Sequence, residues 1–243
     1  MLEIFFYSFL SSLHIYLCGY LFYNFSISKE ISIKHNIFEL AFYGAFLLCL
    51  IALFLNFFIS LNKMVNTFIF LIPFIIFFTF LFNKNFLIKI LTYSIPVSIL
   101  CVLTISFDGT YRPDAGSYHL PYISILNENK LLIGINNIHY RFGHTSIFQY
   151  LSSIYNNYIF NEKGISIPLC LFFCNFIAYC LYELKISENN RHVKILIFII
   201  FIFIIFRVNR YSDFGNDAPA NLLFFYLIIE TLKDNKNFLK IQK

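Results

Sequence analysis

Residues 65–106 read VNTFIFLIPFIIFFTFLFNKNFLIKILTYSIPVSILCVLTIS, which is two long apolar runs separated only by Asn83, Lys84 and Asn85. A helix needs about 20 predominantly apolar residues to cross a bilayer. Both runs are near that length and are continuous rather than alternating. Because backbone groups in lipid must be hydrogen-bonded within their own segment, we expect a tight hairpin of two transmembrane helices.

Similar apolar runs recur along the whole chain. The seven predicted spans are residues 4–23, 38–59, 65–82, 86–106, 165–182, 193–206 and 217–232. The sixth is short, and Arg207 can extend it by reaching the interface with its guanidinium group. We therefore predict an all-α polytopic transmembrane helix bundle of about seven spans, with short surface helices in one long outer loop.

The composition favours lipid as the solvent of this chain. Of its 243 residues 59% are hydrophobic and 13% are charged, whereas soluble domains are about 45–50% apolar and about 25% charged. The net charge of +5 comes from Lys and Arg residues scattered between the apolar runs. They predict topology determinants rather than a nucleic-acid partner.

The apolar runs contain few groups of chemical interest. All six cysteines lie in them, and thiols in lipid behave as small hydrophobes. Cys170 and Cys174 share a helix face, but no His or carboxylate lies near them in sequence, so we do not expect a metal site there. His14 is the one readily ionised residue away from the span ends, and we expect it to be an interior residue. This scarcity argues against an ion-coupled transporter.

The placement of Lys and Arg predicts the orientation. If residues 107–164 lie outside, most basic residues of the short loops and tails are cytoplasmic. We thus expect a cytoplasmic-membrane protein with its N-terminus outside and its C-terminus inside. Residues 1–106 form an N-terminal four-span region and 107–164 an outer loop. Residues 165–243 form a three-span region with a short acidic outer loop and a cytoplasmic tail.

The long loop opens with FDGTYRPDAGSYHLP, residues 107–121. Asp114 has two interpretations. It caps the helix that follows, or it is a carboxylate at the membrane surface that takes a proton from an acceptor hydroxyl. Tyr118 to Leu126 predicts a helix along the membrane surface, and Ile147 to Ile159 predicts a second one.

Farther along the same loop, residues 136–146 read NNIHYRFGHTS. Arg141 can bind two phosphate oxygens at once. His139 and His144 can donate or relay a proton, and His119 can join them. The alternative is that Arg141 pairs with Asp114 or with lipid headgroups and that the histidines are simply interfacial.

The short loop reads RVNRYSDFGNDAPA, residues 207–220. Asp217 stands where the last helix should begin, so a helix cap is one interpretation; Asp213 has no such role. Both loops are predicted on the same side of the membrane. We expect one cleft that holds Asp114, Asp213, Asp217, Arg141, Arg207 and Arg210. Such a set suits a phosphate-bearing substrate and a general base, with or without a divalent cation.

These features resemble the GT-C class of membrane glycosyltransferases, which share a long outer loop opening with an acid and a later outer loop with a second acid. More closely, Asp114-Ala-Gly-Ser-Tyr118-His119-Leu120 followed by Asn137-Ile-His139-Tyr-Arg141 resembles a set of bacterial multi-pass proteins. Residues 212–217 resemble their later motif, with looser spacing. The resemblance covers about residues 100–232.

The resemblance implies transfer of a sugar from a polyprenyl-phosphate carrier to a lipid or glycan acceptor outside the cytoplasmic membrane, with membrane lipids around the protein. Asp114 would be the base. The remaining expected site residues are His119, Asp213 and Asp217 for catalysis and Tyr118, Asn137, His139, Arg141, Arg207 and Arg210 for phosphate or substrate binding. A divalent cation is the only cofactor considered. The class continues with further spans, so we also expect a fragment, a split partner or an inactive form.

Two alternatives stay open. The first is a non-enzymatic membrane subunit of a cell-envelope polysaccharide system, whose loops bind a partner subunit. The second is a lipid-linked glycan polymerase or flippase. A flippase needs a polar path through the spans, and the apolar runs offer none.

Overall fold

The computed structural model describes residues 1–26, 37–107, 113–143, 146–186, 191–206 and 217–241, without the side chains of 26, 107, 217 and 234–241. Every regular element in these ranges is helical. The seven long helices are α1 (Leu2–Ser26), α2 (Glu39–Asn56), α3 (Lys63–Phe80), α4 (Lys84–Phe107), α7 (Ile167–Lys185), α8 (Arg191–Phe206) and α9 (Asp217–Ile241). Two short helices, α5 (Leu120–Glu128) and α6 (Ile147–Ile154), lie between α4 and α7.

Five helical segments of the described chain are long and apolar enough to cross a membrane. They are Leu2–Phe25, Glu39–Asn56, Lys63–Phe80, Lys84–Ser106 and Asn161–Lys185. The prediction of an all-α polytopic membrane bundle is confirmed. Helix α8 has 16 residues, which is a length of about 24 Å. The sixth and seventh spans are helices at the predicted places, and their crossing of the membrane stays a prediction.

Helices α3 and α4 follow one another through the predicted short connection, but they pack mainly on α1 rather than tightly on each other. The turn between them is closed by Asn83, whose Oδ1 accepts a hydrogen bond from the backbone N–H of Phe86 at 3.1 Å. At the other end of α3, Asn62 Oδ1 accepts from the N–H of Val65 at 3.0 Å. Side-chain caps of this kind satisfy backbone donors that the helix itself leaves unpaired. The two asparagines therefore determine where the apolar runs become helical.

Helices α1 and α2 approach each other closely because glycines lie at their crossing. A Cβ atom on Gly44 would lie 2.0 Å from the carbonyl oxygen of Ile15, and one on Gly19 would lie 1.9 Å from that of Leu40. Small residues are the usual means by which helix backbones come together in lipid. Helix α7 is the most enclosed of the long helices and packs against α1, α2, α4, α8 and α9.

Contacts between distant residues define the two ends of the bundle. Lys163 Nζ lies 2.9 Å from both carboxylate oxygens of Glu3, and Lys63 Nζ donates to Asn161 Oδ1 at 3.1 Å. The N-terminus, the α2–α3 connection and the described residues between 113 and 164 thus share one end, which we call the loop end. Glu183 and Lys233 meet at the opposite end.

The two short helices of the long loop are present with shifted boundaries. The first, predicted from Tyr118 to Leu126, is α5 from Leu120 to Glu128. The predicted continuation of the second helix to Ile159 is wrong, because α6 ends at Ile154. Asn157 Oδ1 accepts hydrogen bonds from the N–H groups of Ile159 (2.9 Å) and Phe160 (3.0 Å), which folds the chain into a turn. Helix α6 is buried from Phe148 to Ile154, so it is enclosed by the bundle.

A buried asparagine fastens the long loop to the bundle. Asn66 of α3 is fully buried, and its Nδ2 donates to the carbonyl oxygens of Leu61 (2.6 Å), Ser153 (2.7 Å) and Asn156 (3.0 Å). Asn127 Nδ2 donates to the Leu61 carbonyl oxygen as well, at 2.6 Å. One side chain thus joins the α2–α3 connection to Ser153 and Asn156 of the loop.

Candidate functional site

The first part of the site is a helical turn that precedes α5. Residues 113 and 114 are already helical, and Ala115–His119 form a π-helical turn that leads into α5. Asp114 has φ −62° and ψ −32° and makes no capping hydrogen bond. The interpretation of Asp114 as a helix cap is therefore wrong. Its carboxylate is exposed at the loop end.

Arg141 is held between two tyrosines. Its Nη1 donates to the phenol oxygen of Tyr118 at 3.2 Å, and its Nε donates to that of Tyr140 at 3.1 Å. Its Cζ lies 4.7 Å from the ring centroid of Tyr118 and 5.6 Å from that of Tyr140. Both distances suit cation–π attraction. The guanidinium group is thus oriented while the residue stays exposed.

Asp114 also acts on Tyr118. Partial burial raises the pKa of Tyr118, the Asp114 carboxylate raises it further, and Arg141 lowers it. Hydrogen bonding to Tyr140 raises the pKa of Arg141, and the neighbouring Tyr118 and Asp114 add to this. No direct ion pair joins Asp114 to Arg141 within the described ranges. The predicted alternative of such a pair is therefore not what the structure has.

Two histidines complete the group. The ring of His119 lies 4.1 Å from that of Tyr118, and its Nδ1 accepts from the amide Nε2 of Gln149 at 3.3 Å. The ring of His139 stacks on Tyr140 at 5.0 Å and lies parallel to Tyr118 at 6.4 Å. We call Asp114, Tyr118, His119, His139, Tyr140 and Arg141 the loop cluster.

The loop cluster brings together five of the residues that the sequence predicted, namely Asp114, Tyr118, His119, His139 and Arg141. Asn137 is exposed at the end of the 3-10 turn Ile135–Asn137, and no contact ties it to the cluster within the described residues. Arg207, Arg210, Asp213 and His144 lie outside the described residues. Asp217 begins α9, and its side chain is not described. The convergence of the two acidic loops thus stays a prediction.

A half-open pocket of about 400 Å³, lined by aliphatic and aromatic side chains, adjoins the loop cluster. Tyr122 and Phe142 both line it, with ring centroids 5.8 Å apart, and Phe142 lies 5.3 Å from His139. The remaining lining residues are Leu53, Leu131, Leu132, Ile135, Ile147 and Tyr150. A ligand with a polar head and an apolar chain can therefore contact the cluster and the pocket together.

Sequence reasoning missed a second polar group at the opposite end. Lys233 Nζ lies 3.0 Å from Glu183 Oε2 and 2.7 Å from Glu230 Oε1, and the Tyr179 hydroxyl donates to Glu230. Each acid stands alone in its own apolar run, so no sequence motif joins them. His14 has ring nitrogens 2.9 Å from the Tyr155 hydroxyl and 3.6 Å from Cys18 Sγ, as expected for an interior residue.

The fold and the loop cluster define a polytopic α-helical membrane protein with a polar, partly aromatic site at one end of its bundle. The chain belongs to the family described as Domain of unknown function (DUF8201), whose model matches residues 1–242. No curated protein and no solved structure matches the chain.

Proposed function

We propose that this protein is a GT-C-like integral membrane glycosyltransferase. It transfers a sugar from a polyprenyl-phosphate carrier to a lipid or glycan acceptor at the outer face of the cytoplasmic membrane. The observation that carries the proposal is that an exposed, braced Arg141 and an exposed Asp114 both lie beside Tyr118. The adjoining pocket supports it.

Arg141 binds the carrier phosphate. A guanidinium group has five N–H donors, and the bonds to Tyr118 and Tyr140 use two of them. Its pKa is raised, so it stays cationic at any physiological pH. The pocket beside Phe142 accepts the first isoprene units of the carrier. A phosphate with an apolar tail fits this pair of features better than a free sugar phosphate does.

Asp114 is the base. It takes the proton from the acceptor hydroxyl as that oxygen attacks the anomeric carbon, and the bond to the carrier phosphate breaks with its electrons on the phosphate. Arg141 stabilises the charge that develops there. In this proposal Arg207 and Arg210 add phosphate contacts, while Asp213 and Asp217 orient the acceptor or hold a divalent cation.

The proposed orientation puts the loop end outside, with the N-terminus outside and the C-terminus cytoplasmic. Cysteine substitutions at Ile133 and at Lys185, both exposed at opposite ends, test this directly. All six native thiols are buried, so an impermeant maleimide should label the native cysteines very little. Labelling of Ile133→Cys from outside intact cells, and of Lys185→Cys only after lysis, is expected. The reverse pattern would contradict the orientation.

A second candidate is a non-enzymatic membrane subunit. Large apolar side chains point outward from the loop end: Ile133 is fully exposed, Ile138 is 73% exposed and Tyr140 is 68% exposed. Exposed apolar residues gathered at one place mark docking surfaces. A partner subunit that covers them would make the loop a binding element rather than a reaction site.

A measurement of turnover distinguishes the glycosyltransferase from the non-enzymatic membrane subunit. The full chain in lipid nanodiscs is given polyprenyl-phosphate-linked sugars and membrane acceptors, and release of polyprenyl phosphate is measured. We expect Asp114→Asn to lower the rate about a hundredfold or more, with Glu162→Gln, another exposed loop-end acid, unchanged. Absence of turnover in the wild type, with capture of the chain in a stable membrane complex, would favour the subunit.

A further inference from the structure

Three cysteines from two helices meet inside the bundle. Cys101 belongs to α4, and Cys170 and Cys174 belong to α7; all three are fully buried. Their Sγ atoms all lie within 4.8 Å of one another. The spacing of four residues puts the two α7 thiols on one helix face, and the α4 thiol completes a triangle with them.

The triangle is close to the size that a metal ion requires. Thiolate sulfurs lie about 2.3 Å from a bound metal ion, so three sulfurs in a plane around it are about 4.0 Å apart. Sulfurs already within 4.8 Å need to move by less than about one ångström. Side-chain rotation of cysteine supplies such a movement without a shift of either helix.

A polar group lies beside one of the three thiols. The hydroxyl of Ser8 in α1 is fully buried and neighbours the Cys101 thiol. The thiol group therefore has a buried polar neighbour from a third helix.

We propose that Cys101, Cys170 and Cys174 form a binding site for a soft monovalent metal ion, and that Cu⁺ is the ion it fits. Soft sulfur ligands select Cu⁺ over hard cations. One thiol loses its proton and its thiolate sulfur bonds to Cu⁺, while the other two thiols keep their protons and each donate a sulfur lone pair to the ion. Three sulfur–metal bonds form and one H⁺ is released, so the centre stays neutral in a medium where net charge is costly. No electron transfer is involved.

Zn²⁺ fits the same place less well. It needs two deprotonated thiols for neutrality and takes four ligands in structural sites. Within the described residues the group offers three metal-binding side chains, all of them Cys.

The site is also not at mid-membrane. Cys101 lies six residues before the end of α4 and Cys170 three residues after the start of α7, which places it about 5–9 Å from the loop end.

The test uses the full chain, purified in detergent under reducing, anaerobic conditions. Cu⁺ is supplied as its complex with bicinchoninate, and transfer to the protein is followed by the loss of the chelate colour. We expect one Cu⁺ per chain, a sulfur-only first shell by X-ray absorption, and a higher melting temperature on Cu⁺ addition. Cys101→Ser and Cys170→Ser should weaken binding by at least about tenfold.

Cys49→Ser is the matched control, because Cys49 is buried in α2 outside the thiol triangle, and it should bind Cu⁺ like the wild type. Melting of the metal-free variants shows which of them fold, so that loss of binding in a folded Cys101→Ser chain supports the site. Failure of the wild type to take Cu⁺ from the chelator would overturn the proposal. Equal binding by Cys101→Ser and the wild type would overturn it as well.

Discussion

Arg141 lies over the ring of Tyr118, with its Cζ 4.7 Å from the ring centroid and its Nη1 3.2 Å from the phenol oxygen. These residues are 23 positions apart in the chain and belong to different turns of the long loop. The contact therefore joins the two motifs that the sequence singled out. It also restricts the arginine, so less conformational entropy is lost when the guanidinium group binds an anion.

Two substitutions at this contact should weaken the binding of an isoprenyl phosphate to different extents. Arg141→Lys loses the planar fork and both tyrosine contacts, so we expect the Kd to rise about tenfold or more. Tyr118→Phe keeps the ring and loses one hydrogen bond, for an expected rise of about two- to tenfold. Native mass spectrometry with farnesyl phosphate measures both, and farnesol shows the contribution of the chain alone.

Tyr158→Phe is the control for these variants, because Tyr158 is an exposed loop-end tyrosine with no contact to Arg141 among the described residues. Its affinity for farnesyl phosphate should equal that of the wild type. If Arg141→Lys bound the phosphate as tightly as the wild type, Arg141 would not be the phosphate ligand.

The pH dependence of this binding follows from the shifted groups. The pKa values of both Tyr118 and Arg141 are raised, so the phenol stays neutral and the guanidinium group stays charged from about pH 7 to about pH 9. We expect the Kd to be constant over that range. Affinity should fall only as the pH rises through the pKa of Tyr118, where a phenolate would repel the phosphate.

Tyr118→Phe tests whether ionisation of Tyr118 causes the loss of affinity at alkaline pH. This variant lacks the titrating phenol, so it should retain its affinity for the phosphate in the alkaline range. A fall in wild-type affinity already between about pH 7 and about pH 9 would show that some other group controls the phosphate site. The same fall in wild type and Tyr118→Phe at higher pH would exclude Tyr118 as its cause.

The long helices could be predicted from the sequence because each apolar run is one helix, and lipid demands that its backbone bonds close locally. Five of the six residues of the loop cluster could also be predicted, because they lie in two short sequence motifs. Asp114 and Tyr118 are four residues apart on one helical turn, and His139 and Arg141 are two residues apart. The role of Gln149 could not be predicted, because its contact with His119 depends on how α6 packs.

Contacts between helices could not be predicted from the sequence. Cys170 and Cys174 were recognised as sharing a face, and thiols in lipid were expected to act only as hydrophobes. Cys101, about 70 residues earlier, completes the triangle through the packing of α4 on α7. The ion pairs of Lys233 with Glu183 and Glu230 depend in the same way on α7 meeting α9. No local pattern encodes which of several apolar helices become neighbours.

Asn66 should be essential for the stability of the loop end. Asn66→Ala leaves three buried carbonyl oxygens with fewer donors, and each such loss costs about 1–3 kcal/mol. We expect the melting temperature to fall by about 5 °C or more. A thiol-reactive coumarin dye reports unfolding well here, because all six cysteines are buried and free.

Asn62→Ala is the matched control for this position. It removes one exposed helix cap, worth about 1 kcal/mol, and should lower the melting temperature by only about 2–4 °C. Equal melting temperatures for the two alanine variants would mean that the contacts of Asn66 with the loop contribute little.

Gly44 should tolerate no side chain at the α1–α2 crossing. In Gly44→Ala the new Cβ would meet the carbonyl oxygen of Ile15 at 2.0 Å, and neither backbone can move without separating the helices. We expect a lower melting temperature and a smaller monodisperse fraction in size-exclusion chromatography. Gly116→Ala, where a Cβ meets nothing within 4 Å, is the control. Normal behaviour of Gly44→Ala would contradict the close crossing.

Lys233 should hold α7 and α9 together at the end opposite the loop. It is the cation between Glu183, whose side chain is 2% exposed, and Glu230. Lys233→Met leaves these two carboxylates facing each other without it. Breaking a buried ion pair on one side costs about 3–5 kcal/mol. The partial exposure of Lys233 reduces that cost, so we expect the melting temperature to fall by about 5 °C.

We expect the melting temperature of Lys233→Met to fall because the positive charge is lost, rather than because the shape of the side chain changes. A second substitution distinguishes these two causes. Adding Glu183→Gln to Lys233→Met removes one of the facing carboxylates, so the double variant should melt at a higher temperature than Lys233→Met alone. Lys63→Met, which loses only an exposed hydrogen bond to Asn161, controls for loss of a lysine. If the double variant melted below Lys233→Met, repulsion between the carboxylates would not explain the loss, and Glu183 would contribute to packing independently of Lys233.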